Sequence, residues 1–162
     1  ACTAIYGYTF ENCSKLTTIS LPACEIIGYS AFYNHSKLAS INLPACTTVG
    51  SEAFRRCSNL TSISLPACTT IGTAAFINCT NLTSVSLPVC ETIGHSAFAY
   101  CTQLKTLVLL ASKICNIQNS SAFYSTLLET TGSILVPSSL VNSYKQAWGW
   151  SYYSSRIFAV GG

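Results

Sequence analysis

The sequence predicts a solenoid, in which a short unit of chain coils repeatedly and successive coils stack around one elongated core. Two observations favour this fold class. Leucine recurs every twenty-two residues, at Leu16, Leu38, Leu60, Leu82 and Leu104. Each unit also repeats one order of residue types, as in LTSISLPACTTIGTAAFINCTN at residues 60–81. Because a single unit cannot bury its own apolar side chains, the copies are expected to share their core in register.

The first element of each unit is a strand. In the segment LxxIxL, the last two apolar residues are two positions apart, so they lie on one side of an extended chain while Thr, Ser and Asn lie on the other. The proline that follows, such as Pro66, has no N–H for a ladder and ends the strand. Strands of successive units should therefore form a continuous parallel sheet along one face, about 4.8 Å apart.

The second half of each unit returns the chain to the next strand. A turn, an Ile-Gly step and an Ala-Phe pair predict an irregular or short 3₁₀ return, and the whole predicts a right-handed coil. Glycine is expected where the backbone turns with positive φ or packs closely against its neighbour. These glycines are Gly28, Gly50, Gly72 and Gly94. The inward phenylalanine column contains Phe32, Phe54, Phe76 and Phe98.

The repeat is regular over residues 1–110, which hold about five units with the first one incomplete. Residues 111–162 are predicted to form one irregular repeat and a C-terminal cap. The register breaks there because Ser112 stands where the next column cysteine is expected and Phe123 lies three residues beyond its column.

The cap is predicted from one more strand and an aromatic cluster. Ile134 and Val136 have strand spacing, Pro137 ends that strand, and Ser138 or Ser139 is expected to N-cap a short helix. An aromatic cluster could instead bind sugar rings or a peptide, but terminal units of arrays need atypical covering residues. The residues expected to cover the last coil are Trp148, Trp150, Tyr152, Tyr153, Ile157 and Phe158.

The repeat also resembles a known family. The block LxxIxLPAC matches the leucine-rich repeat segment LxxLxLxxN/C, and LxxIxLPxCxxIGxxAFxxCxx is similar to the BspA-like leucine-rich repeats of bacterial and some protist surface proteins. The resemblance covers residues 1–110 and extends more loosely through ILVPSSLVNSYKQAWGWSYYSSRIFAV. It implies an extracellular or cell-surface location and a role in adhesion.

Ten cysteines follow the same period. One column holds Cys2, Cys24, Cys46, Cys68 and Cys90, the other holds Cys13, Cys57, Cys79 and Cys101, and Cys115 belongs to neither. Aligned side chains in a parallel stack point the same way rather than at each other, so buried free thiols are expected rather than disulfides.

His35 takes a cysteine position between Cys13 and Cys57 in the second column. It indicates either a Cys-His-Cys metal site or a tolerated substitution at a loop edge. The second interpretation is favoured because no fourth ligand and no CxxC pair is evident. The other histidine, His95, is expected to be exposed, and the sequence predicts no metal and no cofactor.

Composition argues against several function classes. Charged residues make up 8% of the chain and the net charge is +3, so no strong field is present to capture nucleic acid or an anionic membrane. The longest apolar runs, such as residues 107–111, are too short to insert into a membrane. The chain has no Asp, five Glu and two His, and it lacks a phosphate-binding loop and HExxH, so no enzymatic activity is expected.

The best candidate site is the outward side of the strands, which is small, polar and almost uncharged. We expect it to bind a protein or glycan, for example in host extracellular matrix or on a host cell surface. Ser and Thr are also ordinary residues of a wet strand face, which leaves a purely structural spacer as the alternative. Ice binding by hydroxyl rows is less favoured because the rows mix Ser, Ala and Asn. The adjacent pair Arg55–Arg56 is more typical of a solvated edge than of a docking site. The candidate residues are Thr17, Thr18, Ser20, Ser40, Asn42, Thr61, Ser62, Ser64, Thr83, Ser84, Ser86, Lys105 and Thr106.

Overall fold

A computed structural model describes residues 2–10, 13 and 15–161, and the chain winds through them as a solenoid of short parallel strands. One helix and four 3₁₀ segments lie among the described residues, all of them after residue 119. The strands are β1 (Ala4–Ile5), β2 (Thr18–Ser20), β3 (Ile26–Ile27), β4 (Ser40–Asn42), β5 (Thr48–Val49), β6 (Ser62–Ser64), β7 (Thr70–Ile71), β8 (Ser84–Ser86), β9 (Thr92–Ile93), β10 (Thr106–Val108), β11 (Asn116–Ile117), β12 (Ser133–Val136) and β13 (Ile157–Ala159). The helix α1 is Val141–Gln146, and the 3₁₀ segments are Ser120–Phe123, Leu127–Glu129, Ser138–Leu140 and Trp150–Arg156.

The predicted strand face is present and has the predicted register. Thr18 pairs with Ser40, and Ser62 pairs with Ser84, which pairs with Thr106. The face is nevertheless not one continuous sheet. Strands β2 and β4 form a two-stranded sheet, and β6, β8, β10, β12 and β13 form another. The expectation of a continuous sheet is corrected on this point, since the ladder is interrupted between β4 and β6.

A second parallel sheet runs through the return half of the coils, in the order β1-β3-β5-β7-β9-β11. The irregular return predicted for the regular coils is therefore confirmed for its turns, such as residues 51–56, but the short strand before each turn was not predicted. Each strand of this sheet has only two residues, the second buried, as with Ile71. The column cysteine before each strand stabilises the bend, as when Cys68 Sγ donates to the carbonyl oxygen of Thr70 at 3.3 Å. Two residues are too few for the period-two pattern that identifies a strand in a sequence.

The column glycines are required by close backbone approach. An added Cβ at Gly72 would lie 2.5 Å from Ser51 N, and one at Gly94 would lie 2.5 Å from Thr73 N, both in the preceding coil. The alternative expectation of positive φ is wrong for this column, because only Gly149 and Gly161 have positive φ among the described glycines. The left-handed positions of the coils belong instead to other residue types: Tyr8, Ser30, Asn34, Glu52, Arg56, Ala74, Asn78, Ser96, Tyr100 and Ser125.

A stack of phenylalanine rings forms the centre of the core. Successive ring centroids are 5.0–5.6 Å apart and the ring planes differ by 12° or less. These are favourable separations for offset aromatic stacking. The stack runs in the order Phe10, Phe32, Phe54, Phe76, Phe98 and Phe123.

The irregular repeat rejoins the columns although its spacing is longer. Ile117 pairs with Ile93, twenty-four positions earlier, and Phe123 stacks on Phe98, twenty-five positions earlier. Cys115 is fully buried and its thiol interacts with that of Cys90, so it continues the first cysteine column rather than lying outside it. Two of the three extra residues are absorbed by residues 110–114, where the side chains are exposed or half-buried, and the third lies between Ile117 and Phe123.

The C-terminal segment packs on this last coil. Strand β12 pairs with β10 as the sequence predicted, and β13 adds one more strand beside β12. Trp150 Nε1 donates to the carbonyl oxygen of Cys115 at 2.6 Å, and the backbone N–H of Cys115 donates to the Tyr144 hydroxyl at 2.9 Å. These two hydrogen bonds hold the backbone of Cys115, which lies twenty-nine residues before Tyr144 and thirty-five residues before Trp150.

Two details of the expected cap are corrected. Ser138 and Ser139 lie inside a 3₁₀ turn, and α1 begins after Leu140 without a side-chain cap. Trp150, Tyr153 and Ile157 are buried, whereas the other three expected covering residues, Trp148, Tyr152 and Phe158, are exposed. Tyr152 and Tyr153 are neighbours in the 3₁₀ segment, and Ile157 and Phe158 are neighbours in β13, so the side chains of each pair face different sides and only one of the two is buried. The function of this segment as a terminal cap, and the boundary at residue 110, stay predictions.

Candidate functional site

The structure places the candidate binding residues on the outward side of β2, β4, β6, β8 and β10 and at the residues just before these strands. Three of them, Ser84, Ser86 and Thr106, are half-buried. The other ten are exposed: Thr17, Thr18, Ser20, Ser40, Asn42, Thr61, Ser62, Ser64, Thr83 and Lys105. We call these thirteen residues the strand face.

The middle row of the strand face presents hydroxyl groups at the spacing of the coils. Among the described residues, Ser40, Ser62 and Ser84 have no side-chain hydrogen bond within the chain, and they lie in adjacent coils. Elsewhere on the face, Asn42 Nδ2 donates to the Ser20 hydroxyl at 3.2 Å, and the Thr83 hydroxyl donates to the Thr61 carbonyl at 3.0 Å. The face therefore combines a fixed backbone with hydroxyls that are available to a ligand.

A cluster of positive charge borders the N-terminal end of the strand face. Lys15 and Lys37 lie three residues before β2 and β4, and Arg55 and Arg56 end the turn at residues 51–56 of the next coil, just before Asn59, the equivalent of the two lysines. We call these four residues the basic corner. Lys15, Lys37 and Arg56 are exposed, and Arg55 is half-buried. Sequence reasoning identified the arginine pair but not its contacts with Tyr33, which lies in the preceding coil four residues before Lys37.

Tyr33 organises the two arginines. The Arg55 guanidinium carbon lies 5.6 Å from the centre of the Tyr33 ring, within the range of a cation–π contact. Arg56 Nη1 makes a long hydrogen bond of 3.4 Å to the Tyr33 hydroxyl. Arg55 Nη1 also pairs with Glu52 Oε2 at 3.0 Å, which is the only ion pair among residues 2–10, 13 and 15–161. Arg56 and both lysines therefore have no ion-pair partner among the residues that the structure describes.

All ten cysteines are free thiols, but not all are buried. Cys2 and Cys13 are exposed, which corrects the expectation of buried thiols at these two positions. Burial is the largest effect on most of the others and raises the pKa of Cys46 to about 11 and that of Cys68 to about 12. Such thiols stay protonated at neutral pH, and a protonated thiol is a poor nucleophile and a poor metal ligand.

His35 is buried, so the expectation of a loop edge is wrong, whereas its interpretation as a tolerated substitution is not contradicted. Its side chain is 1% exposed, its Nδ1 lies 3.1 Å from the Tyr33 carbonyl oxygen, and its Nε2 has no hydrogen-bond partner. Cys57, which would be one ligand of a Cys-His-Cys site, donates its thiol to the Phe32 carbonyl at 3.3 Å. The part of the chain that the structure describes contains no group of three His, Cys, Asp or Glu that could hold a metal ion. His95 is exposed as expected.

The longer repeat creates a cleft that the sequence did not reveal. Its volume is about 530 Å³, and it lies between the inserted residues and the preceding coil. Apolar groups of Val89, Ala111 and Ile114 line it together with the charged residues Glu91 and Lys113. The sequence signals of the longer repeat were Ser112 at the expected cysteine position and the three-residue delay of Phe123. None of the helices among the described residues is long and apolar enough to span a membrane.

Comparison with protein families gives one match over most of the chain. A model described as a BspA type leucine rich repeat region matches six copies over residues 3–129. No curated protein sequence matches the chain.

Solved structures share the winding of the chain at low sequence identity. The pneumococcal vaccine antigen PcpA has a TM-score of 0.67 at 18% identity, over 97% of this chain and 40% of its own. A leucine-rich repeat protein of T. pallidum has a TM-score of 0.51 at 22% identity, over 89% of this chain and 76% of its own. A leucine-rich cell surface protein of Faecalibacterium prausnitzii A2-165 has a TM-score of 0.55 at 22% identity, over 99% of this chain and 52% of its own. The chain thus spans less than half of the pneumococcal protein, and the likeness is one of fold.

Proposed function

The chain belongs to the BspA-type leucine-rich repeat family, and on that premise we propose that it is a non-enzymatic module that binds a protein or glycan outside the cell. The observation that carries this proposal is the strand face, where ten of thirteen small or polar candidate side chains are exposed on hydrogen-bonded parallel strands. A ligand that binds there meets donors and acceptors whose backbone is already ordered. Preorganisation of this kind lowers the entropy cost of association.

Chemistry at the buried groups supports a binding function rather than catalysis. The buried thiols Cys46 and Cys68 have raised pKa values, and no cluster of acidic or metal-ligating residues occurs among the described residues. Leucine-rich repeats of this family and fold are typically non-enzymatic. The proposal therefore assigns no reaction to this chain.

Two of the structural relatives support an extracellular location. One is named as a vaccine antigen and another as a cell surface protein. We extend that location to this chain as part of the proposal, with host matrix or host cell-surface molecules as the class of ligand.

The test is a binding screen against matrix proteins and a glycan array with charge-matched variants. Ser62→Asp with Ser64→Asp adds two negative charges to the strand face, whereas Thr47→Asp with Thr73→Asp adds the same charge at exposed positions on the return side. We expect the first pair to weaken binding at least tenfold and the second pair to leave it within about twofold. A ligand that both double variants hold as tightly as the unmodified chain would refute the strand face and favour a structural spacer.

A further inference from the structure

From the basic corner we infer that the ligand of the strand face is a sulfated linear glycan, whose sulfate groups contact Arg56, Lys37 and Lys15 while its sugar hydroxyls contact the adjacent Ser and Thr side chains. The inference rests on the proposed function, because it names the ligand class of the same face. Its basis is the arrangement of charge and hydroxyl groups along the stacked coils.

Lys15, Lys37 and Arg56, which form no ion pair with any described residue, belong to consecutive coils. Lys15 and Lys37 are twenty-two residues apart and precede the paired strands β2 and β4 at equivalent positions, so their Cα atoms are separated by roughly one coil spacing of about 5 Å. Arg56 lies in the next coil, and its side chain extends back by one coil to reach the Tyr33 hydroxyl. Lys15 and Lys37 therefore follow the axis of the array, and Arg56 adds a charge in the next coil, three residues before the equivalent position Asn59.

The arginines are held in position before any ligand arrives. Tyr33 contacts Arg55 with its ring and Arg56 with its hydroxyl, and Glu52 fixes Arg55 further. Because Glu52 compensates Arg55, we assign Arg55 the function of a support and Arg56 that of the sulfate-binding group. A guanidinium offers paired N–H donors that match the oxygens of a sulfate group.

The surroundings of the basic corner favour a glycan over other polyanions. Beyond the corner, the strand face carries hydroxyl groups and a single further cation, Lys105. Nucleic acid would require a longer track of positive charge, which a net charge of +3 does not supply. Hydroxyl and amide side chains next to a few cations match a ligand that alternates sugar hydroxyls with sulfate groups.

The experiment measures binding of a heparin-type sulfated oligosaccharide and of the same oligosaccharide after desulfation. The double variant Lys37→Ala with Arg56→Ala removes two charges from the basic corner. Lys145→Ala with Arg156→Ala removes two charges from the C-terminal segment and serves as the matched control. Tyr33→Phe keeps the ring and removes only the hydroxyl that holds Arg56. Circular dichroism of each variant checks that the fold is retained.

We expect the unmodified chain to bind the sulfated oligosaccharide with an affinity that falls as salt is raised, and to bind the desulfated form at least tenfold more weakly. The affinity for the sulfated oligosaccharide should fall about tenfold or more in Lys37→Ala with Arg56→Ala and about twofold to fivefold in Tyr33→Phe. It should fall less than twofold in the control pair, Lys145→Ala with Arg156→Ala. Equal losses in the corner and control pairs, equal binding of the desulfated form, or tighter binding to phosphatidylglycerol vesicles would each overturn the inference.

The strand-face pair Ser62→Asp with Ser64→Asp separates the two proposals. If the sulfated oligosaccharide does not bind, but another ligand binds and is lost in this pair, the inference is wrong and the proposed function stands. If this pair retains every ligand that the chain binds, the proposed function is itself wrong.

Discussion

Substitution of Gly72 by alanine tests whether close backbone contact between coils limits the stability of the array. The added Cβ would lie 2.5 Å from Ser51 N, 2.6 Å from the Gly50 carbonyl carbon and 3.0 Å from the Gly50 carbonyl oxygen. All three atoms belong to backbone, so no side chain can rotate away. Relief to an ordinary contact of about 3.4 Å requires the two coils to separate locally by about 0.9 Å.

That separation has a cost that the structure allows us to approximate. Gly72 N donates to the Val49 carbonyl oxygen at 2.7 Å, and a shift of this size would break the bond and leave both buried groups without partners. Such a loss costs about 1–3 kcal/mol, and overpacking of a tight site costs about 1–3 kcal/mol more. We expect Gly72→Ala to lower the free energy of unfolding by about 3 kcal/mol or more, a large part of the stability of an ordinary domain.

The assay is urea denaturation followed by circular dichroism, together with native-state hydrogen exchange, because repeat arrays can unfold in parts. Exchange should accelerate most at the amides of the two coils that contain Gly50 and Gly72. The control is Thr73→Ala, which truncates the exposed side chain of the neighbouring residue and adds no atom between the coils. If Gly72→Ala changes the unfolding free energy by less than about 0.5 kcal/mol, a value typical of neutral surface substitutions, the close-contact reasoning is refuted.

Other consequences can be measured with the same methods. Trp150→Phe removes a buried indole hydrogen bond and should cost about 1–3 kcal/mol, whereas Trp148→Phe at an exposed site should cost less than about 0.5 kcal/mol; similar costs would contradict the buried contact. His35→Cys restores the residue type of its column and removes an unpartnered nitrogen, so it should stabilise the chain by about 1 kcal/mol in urea denaturation, and a loss would contradict this account. Thiol titration should find two reactive groups in the folded chain and ten after denaturation, and early reaction of the buried eight would disagree with the structure. Burial raises the pKa of Tyr144 to about 12, above its value in the unfolded chain. The stability that this group contributes should therefore be intact below about pH 10 and be lost as pH rises towards 12, as measured by unfolding followed by circular dichroism. Constant stability across that range would contradict the burial of the Tyr144 hydroxyl.

The periodic part of the fold could be predicted because its information is local and repeated. A leucine at every twenty-second position, with Ile and Leu following at strand spacing, determines which side chains face inward, and stacking then brings equivalent residues together. The same period identified the exposed hydroxyl residues of the strand face, since the outward positions of a strand are the complement of its buried ones. The ligand of that face has no comparable signal and stays a proposal.

The remaining features arise only when distant parts of the chain meet. The extra residues before Cys115 shift the sequence register, but the buried stack restores it, because Phe123 gains more by packing on Phe98 than the exposed loop loses by bulging. The hydrogen bond from Trp150 to Cys115 joins residues thirty-five positions apart, with no pattern in either segment that points to the other. The basic corner likewise exists because winding places Lys15, Lys37 and Arg56 in successive coils. The sequence by itself determined the repeating unit and its inward residues, whereas the tertiary structure decided where irregular segments and charges come together, since those contacts depend on the stacking of coils and not on local spacing.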